Sequence, residues 1–170
     1  MKTAITAIFL FIISNLSFAQ GTYTDTATGM SIEYSSGWKY EKIYDEIIFY
    51  GTHGNIKITK SVFDLPFSIE EYITYAEENP NKHLEVYENI SGGKMIVRNS
   101  GRTRIGNVDA YFTDILVDRE DDGTDIYRRA RITMTIYDNY IFNFITLPFE
   151  NMYNEMIVDT ESFLKNVRFP

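Results

Sequence analysis

Two stretches of this chain carry side chains whose types and spacing could do chemistry. The first is Asp118-Arg-Glu-Asp-Asp-Gly-Thr-Asp125. Asp118, Glu120 and Asp122 alternate ahead of Gly123, as oxygen ligands do in the first half of a calcium loop. The twelfth position counted from Asp118 is Arg129, so the bidentate carboxylate that closes such a loop is missing. The run therefore reads as a solvated turn, and no metal is assigned. The second stretch follows directly. Tyr127, Arg129, Arg131, Thr133, Thr135 and Tyr137 alternate along one side of a strand. Guanidinium groups beside phenol rings suit planar anions, carbohydrates or a protein partner. The competing reading pairs these arginines with acids of neighbouring strands or of the 118–125 turn. Tyr127, Arg129, Arg131 and Tyr137 are thus the candidate partner surface, with Arg102 and Arg104 expected nearby.

Other chemistries find no footing. The chain has no cysteine, which removes thiolate catalysis and disulfides. It has no Gly-x-Ser-x-Gly elbow, and no His-Glu-x-x-His pair for zinc. Its two histidines, His53 and His83, fall in a turn and in a helix-to-strand link, where solvated loop residues are expected. Glu70, Glu71, Glu77 and Glu78 read as helix-surface charges. No catalytic residue, cofactor site or metal ligand is assigned.

The composition narrows the partners. A formal charge of −8 repels phosphate backbones, so nucleic acid is not expected as a partner. The N-terminus reads as an export signal. Lys2 precedes an apolar run from Ala4 to about Ile13, and Ser17-Phe-Ala19 has the small-x-small form of a cleavage site. Cleavage is expected after Ala19, leaving residues 20–170 as one domain. The apolar run is short for a membrane span, and without cysteine there is no lipid attachment. A periplasmic or secreted protein is expected, with no membrane insertion in the mature form.

The elements that must position these residues are mostly strands. Residues 20–29 read as a loose lead-in. Met30 to Tyr34, a Ser35-Ser-Gly37 turn and a strand from Trp38 read as a first hairpin. Short strands follow at 47–50 and 56–62. Ser68-Ile-Glu-Glu71 is a capping box opening a helix that Asn79-Pro80 ends. Residues 84–90 and 94–99 suggest a hairpin about Gly92-Gly93, and Ser100-Gly101 suggests a break. Strands at 110–118, 126–137 and 140–147 are joined by hairpin-length links, the last of them Asp138-Asn139. A helix over about 150–166 carries the stripe Met152, Met156, Phe163 and Leu164, and Val167-Arg-Phe169 suggests a terminal strand. The strand over 140–147 is apolar on both faces and must be covered on both. The expectation is an α+β fold: an α/β/α sandwich with a central, mainly antiparallel sheet of about six to eight strands and two main helices.

This order of features resembles the PsbP-like family. The resemblance rests on Gly29-Met-Ser-Ile-Glu-Tyr-Ser-Ser-Gly-Trp38, on the helix from Ser68 to Asn79, on Gly106-Asn-Val-Asp-Ala-Tyr111 and on Ser162-Phe163 in the closing helix. Ser35 stands where the family usually has proline. The resemblance implies the α/β/α sandwich of the PsbP and Ran-binding import-factor type, and a non-catalytic binding or assembly module. The alternative is a small-ligand carrier with an aromatic pocket between sheet and helix. Trp38 is expected to pack beneath the sheet as a core anchor.

Overall fold

The computed structural model describes residues 19–62, 68–80, 82–84, 94–121 and 124–170. Side-chain surroundings are described for these except residues 19, 20, 83, 118–121 and 124–127. The side chains of the calcium-like run 118–125, the Gly92-Gly93 turn and the side chains of Tyr127 and His83 therefore lie outside the described residues.

Among the described residues, ten strands and two α-helices build the fold: β1 (Ala19–Thr24), β2 (Ser31–Ser35), β3 (Lys39–Ile43), β4 (Glu46–Tyr50), β5 (Gly54–Val62), α1 (Ile69–Glu78), β6 (Lys94–Ile105), β7 (Val108–Asp121), β8 (Thr124–Tyr137), β9 (Tyr140–Pro148), α2 (Tyr153–Leu164) and β10 (Val167–Arg168). Seven strands form one antiparallel sheet in the order β3-β4-β5-β9-β8-β7-β6. The other three form a small antiparallel sheet, β1-β2-β10. This is an α+β sandwich.

The small sheet corrects two sequence expectations. Residues 20–24 are strand and not a loose lead-in, because β1 pairs with β2. Met30–Tyr40 is not a hairpin. β2 pairs with β1 and β10, whereas β3 pairs with β4 in the large sheet. The Ser35-Ser-Gly37 turn carries the chain from one sheet to the other. Trp38 sits at that crossing, half-buried, with its ring 5.1 Å from that of Phe163. A Cβ on Gly51 would lie 2.8 Å from the Trp38 ring, so that glycine leaves room for it.

Local rules explain most of the large sheet. Asp138 and Asn139 both have positive φ, 45° and 62°, as a two-residue I′ turn between β8 and β9 requires. Ser100-Gly101 does not break β6, which runs through to Ile105. Gly101 faces Phe112, whose ring lies 3.3 Å from where a Cβ would stand, so the missing side chain makes room for an aromatic. The sequence disturbance is instead a register shift between Val97 and Asn99.

The helices cover opposite faces of the sheet. α1 is capped as expected: Ser68 Oγ accepts from the Glu71 amide at 3.2 Å, and Glu71 Oε2 accepts from the Ser68 amide at 2.7 Å. It buries Ile73 and Ala76 against Tyr111. α2 is shorter than the expected 150–166. It buries Met156, Thr160, Phe163 and Leu164, a helical stripe, while Met152 stays 41% exposed at its start. Against that stripe lie Phe49, Ile56, Ile58, Phe142 and Phe144 of the large sheet with Met30, Ile32 and Val167 of the small one. Two ties close this layer. Gly106, at φ +55°, donates its amide to the Leu164 carbonyl at 2.9 Å, and a Cβ there would meet the Val167 carbonyl oxygen at 1.7 Å. Asn107 then bonds both the carbonyl and the amide of Phe169, each at 3.0 Å.

Candidate functional site

The register of β8 with its neighbours is unbroken, so Arg129, Arg131, Thr133, Thr135 and Tyr137 do share one face. That face turns toward α2, which lies across its middle. Thr133 and Thr135 are 1% and 0% exposed. Arg131 is largely buried, and its fork grips Asp114 of β7 through Nε to Oδ1 at 2.6 Å and Nη2 to Oδ2 at 3.0 Å. Its Nη1 donates to Glu161 of α2 at 3.2 Å, and the guanidinium lies 4.4 Å from the Phe112 ring centre. Tyr153, at the start of α2, also bonds Asp114.

The electrostatics of this cluster follow from its burial and pairing. Burial works against the charge on Arg131, but the hydrogen bonds and charge of Asp114 outweigh it and hold the guanidinium more firmly protonated. Burial, then the hydrogen bond to Asp114, pushes the Tyr153 phenol up from its usual range. An ion pair this well fitted resists disruption, since removing one partner strands the other charge in the interior. Chemically, the cluster bolts α2 to β7 and β8.

The other members of the face meet different surroundings. Arg129 is exposed, 5.5 Å above the Tyr153 ring. Tyr137 lies at the far end, with its hydroxyl donating to the Pro170 carbonyl and its ring 4.9 Å from Phe169. Ten residues of strand separate positions 127 and 137, a span of about 33 Å. They therefore do not share one compact site. Arg102 does not lie beside them. It opposes Tyr111, on the α1 face, where Glu70 holds Nη1 at 2.9 Å and Glu77 holds Nε at 3.1 Å. Glu70 and Glu77 are thus a two-turn clamp, more than plain surface charges. Arg104 sits at the β6–β7 turn, 3.4 Å from Asp109.

Two features carried no sequence signal. His53 is held by Asp159 of α2, with Nδ1 and Oδ2 2.7 Å apart across a gap of 106 residues. Lys60 bonds the buried Asp25 at 2.6 and 2.8 Å and ties the small-sheet loop to β5. Burial alone would raise the Asp25 pKa, but the Lys60 and Thr28 hydrogen bonds outweigh it and hold the carboxyl below its usual range. Neither pairing was legible, because each joins residues far apart in the chain.

Aromatic rings fill the space between sheet and α2, with Phe49, Phe142, Phe144 and Phe163 at 0–3% exposure. Among the described residues, four large apolar side chains reach the surface together at one edge, Tyr40, Ile43 and Tyr50 at 38–42% exposure and Tyr44 at 92%; others, such as Val62, Phe149 and Val158, are scattered. All five residues of β3 are exposed, and β3 ends the sheet. No helix among the described residues is long and apolar enough to cross a membrane.

No family model matches the chain, and no curated protein matches it. Solved structures do. The solution structure of cyanobacterial PsbP from Synechocystis sp. PCC 6803 superposes with a TM-score of 0.67 at 13% identity, covering 92% of this chain and 96% of that one. A crystal structure from Bacteroides thetaiotaomicron superposes with a TM-score of 0.57 at 16% identity, covering 90% of this chain and 49% of that one, so this chain spans about half its length. At such identities the likeness carries architecture alone. Seven antiparallel strands between two helices, matched over nearly the full length, give this chain the PsbP-like fold.

Proposed function

We propose that the protein is an exported, non-catalytic binding or assembly module that contacts a protein partner through its β3–β4 edge. The observation that carries this reading is the exposed hairpin itself. Tyr44 stands at its tip with φ 53°, a left-handed conformation that costs a non-glycine residue about 1–2 kcal/mol, and its ring is 92% exposed. A strained, solvated aromatic beside Tyr40 and Ile43 suits a contact surface better than a monomer's exterior. The free edge of β3 offers backbone donors and acceptors to an extended partner segment. Arg129, exposed above Tyr153, and Tyr127 form a second candidate contact; Arg131 and Tyr137 hold that strand in place. The export signal at residues 1–19 supports a periplasmic or secreted location.

Photo-crosslinking in the native host tests this. A benzophenone side chain at position 44 should give a discrete protein adduct, and one at Val158, 66% exposed on α2, should not. A probe at position 129 shows whether that end of β8 shares the contact. Equal labelling from 44 and 158, or none from 44, would refute the edge as the docking surface.

A further inference from the structure

We propose that a cleft between β6–β8 and the last turn of α2 binds a small organic monocarboxylate. The cleft encloses about 360 Å³, within the range of small-ligand sites. It lies toward the β6 end of the sheet, with β3 at the opposite end, and the proposal does not depend on the protein-contact reading.

The floor gives the first reason. Thr133 lines the cleft, is 1% exposed, and its Oγ1 has no hydrogen-bond partner. Its neighbours on the same face show how such hydroxyls are normally settled. Thr135 Oγ1 donates to the Asp109 carbonyl at 2.7 Å, and Thr146 and Thr160 share a bond of 3.1 Å. A buried hydroxyl left unpaired weakens the fold, so its retention at this one lined position points to a ligand atom that completes it.

The walls give the chemical class. Arg104, Arg131 and Lys165 line the cleft against one acid, Glu161. Arg131 is spent on Asp114 and Glu161, so its fork is not open to a phosphate. Arg104 and Lys165 are exposed side chains at the rim. Arg104 meets the exposed Asp109 at 3.4 Å and donates to the Asn107 carbonyl at 2.8 Å, and Lys165 has no ion-pair partner among the described residues. Two exposed rim cations and a nearby carboxylate favour a single negative charge over a dianion. Phe112 and Leu164 supply apolar wall for the rest of the ligand. One carboxylate oxygen would accept from the Thr133 hydroxyl and the other would face Lys165 and Arg104, with the apolar body against Phe112 and Leu164.

Titration of the ¹⁵N-labelled protein with benzoate, followed by amide shifts, tests this. Saturable shifts should cluster at Phe112, Thr133, Leu164 and Lys165, and benzyl alcohol, with the same ring and no charge, should bind about tenfold more weakly or worse. Thr133→Val should weaken benzoate about tenfold without lowering Tm, since it removes a hydroxyl that the fold does not use. Lys165→Ala, a surface change that leaves the core intact, should weaken it about threefold. Absence of saturable shifts, shifts centred elsewhere, or benzoate binding unchanged in either variant overturns the site. So does a lowered Tm in Thr133→Val, which would mean that the hydroxyl serves the fold.

Discussion

The two faces of the seven-stranded sheet are closed by different physics. On the α2 face a continuous aromatic layer is buried, and two acids beside it are paired with cations at short range: Asp114 with Arg131, Asp25 with Lys60. On the α1 face the buried contact is small, Ile73 and Ala76 on Tyr111, and the clamp that holds the helix is Arg102 between Glu70 and Glu77, all exposed. Both faces carry ion pairs among the described residues, yet their worth differs. A buried pair is held by the cost of stranding its partner, and an exposed one is screened by water and salt. The α2 face is therefore the structural foundation, and α1 is a locally stabilised cover.

Substitutions can break this contrast. The largest effect is expected at Asp114. Asp114→Ala leaves the Arg131 charge buried without its partner and should cost about 3–5 kcal/mol in urea unfolding. Arg102→Ala, which removes two exposed contacts at once, should leave the unfolding midpoint unchanged. If the two variants lose comparable stability, the distinction between the faces collapses. Trp38→Ala comes next. Its ring packs on Phe163 at the crossing between the sheets but is only half-buried, so a loss of about 2–3 kcal/mol is expected, below that of a fully buried ring.

Acid sharpens the comparison further. The Asp25 carboxyl has its pKa lowered in the fold, with Lys60 and Thr28 outweighing burial. A depressed value contributes stability that is complete above the ordinary carboxylate pKa and is lost as pH falls through the folded value. Stability should therefore drop below about pH 4, and Asp25→Asn should flatten that acid limb while lowering stability at neutral pH. The smallest measurable change is expected at the cap of α1. Ser68→Ala removes the acceptor for the Glu71 amide and should cost about 1 kcal/mol, read as faster exchange of the first-turn amides.

The parts of the fold that were legible in the sequence are those whose cause is local. The Ser68–Glu71 capping box, the Asn79 stop and the Asp138-Asn139 turn each depend on residues within a few positions, and each stands where it was expected. The pairing of β2 was not legible, because its partners are β1 and a two-residue strand at the far end of the chain. A strand, a turn and a strand read alike whether the strands pair or part into different sheets. The candidate surface on β8 shows the same limit. Alternating Arg and Thr read as a solvent face, but α2 covers the middle of it, and only the partners Asp114, Tyr153 and Glu161 make that burial tolerable. The competing reading, in which the arginines pair with acids of neighbouring strands, describes Arg131 well; Arg129 remains at the surface. Polarity along one strand says nothing about what another element brings to meet it.

Native-state hydrogen exchange tests most directly whether α2 belongs to the foundation and α1 is its cover. Amides of β8, β9 and α2 should exchange only through global unfolding, with one shared denaturant dependence. Those of α1 should exchange at a lower free energy through local opening, with a shallower dependence. If α1 is protected to the same level as α2, or if α2 opens before β8 and β9, the asymmetry between the two faces is wrong.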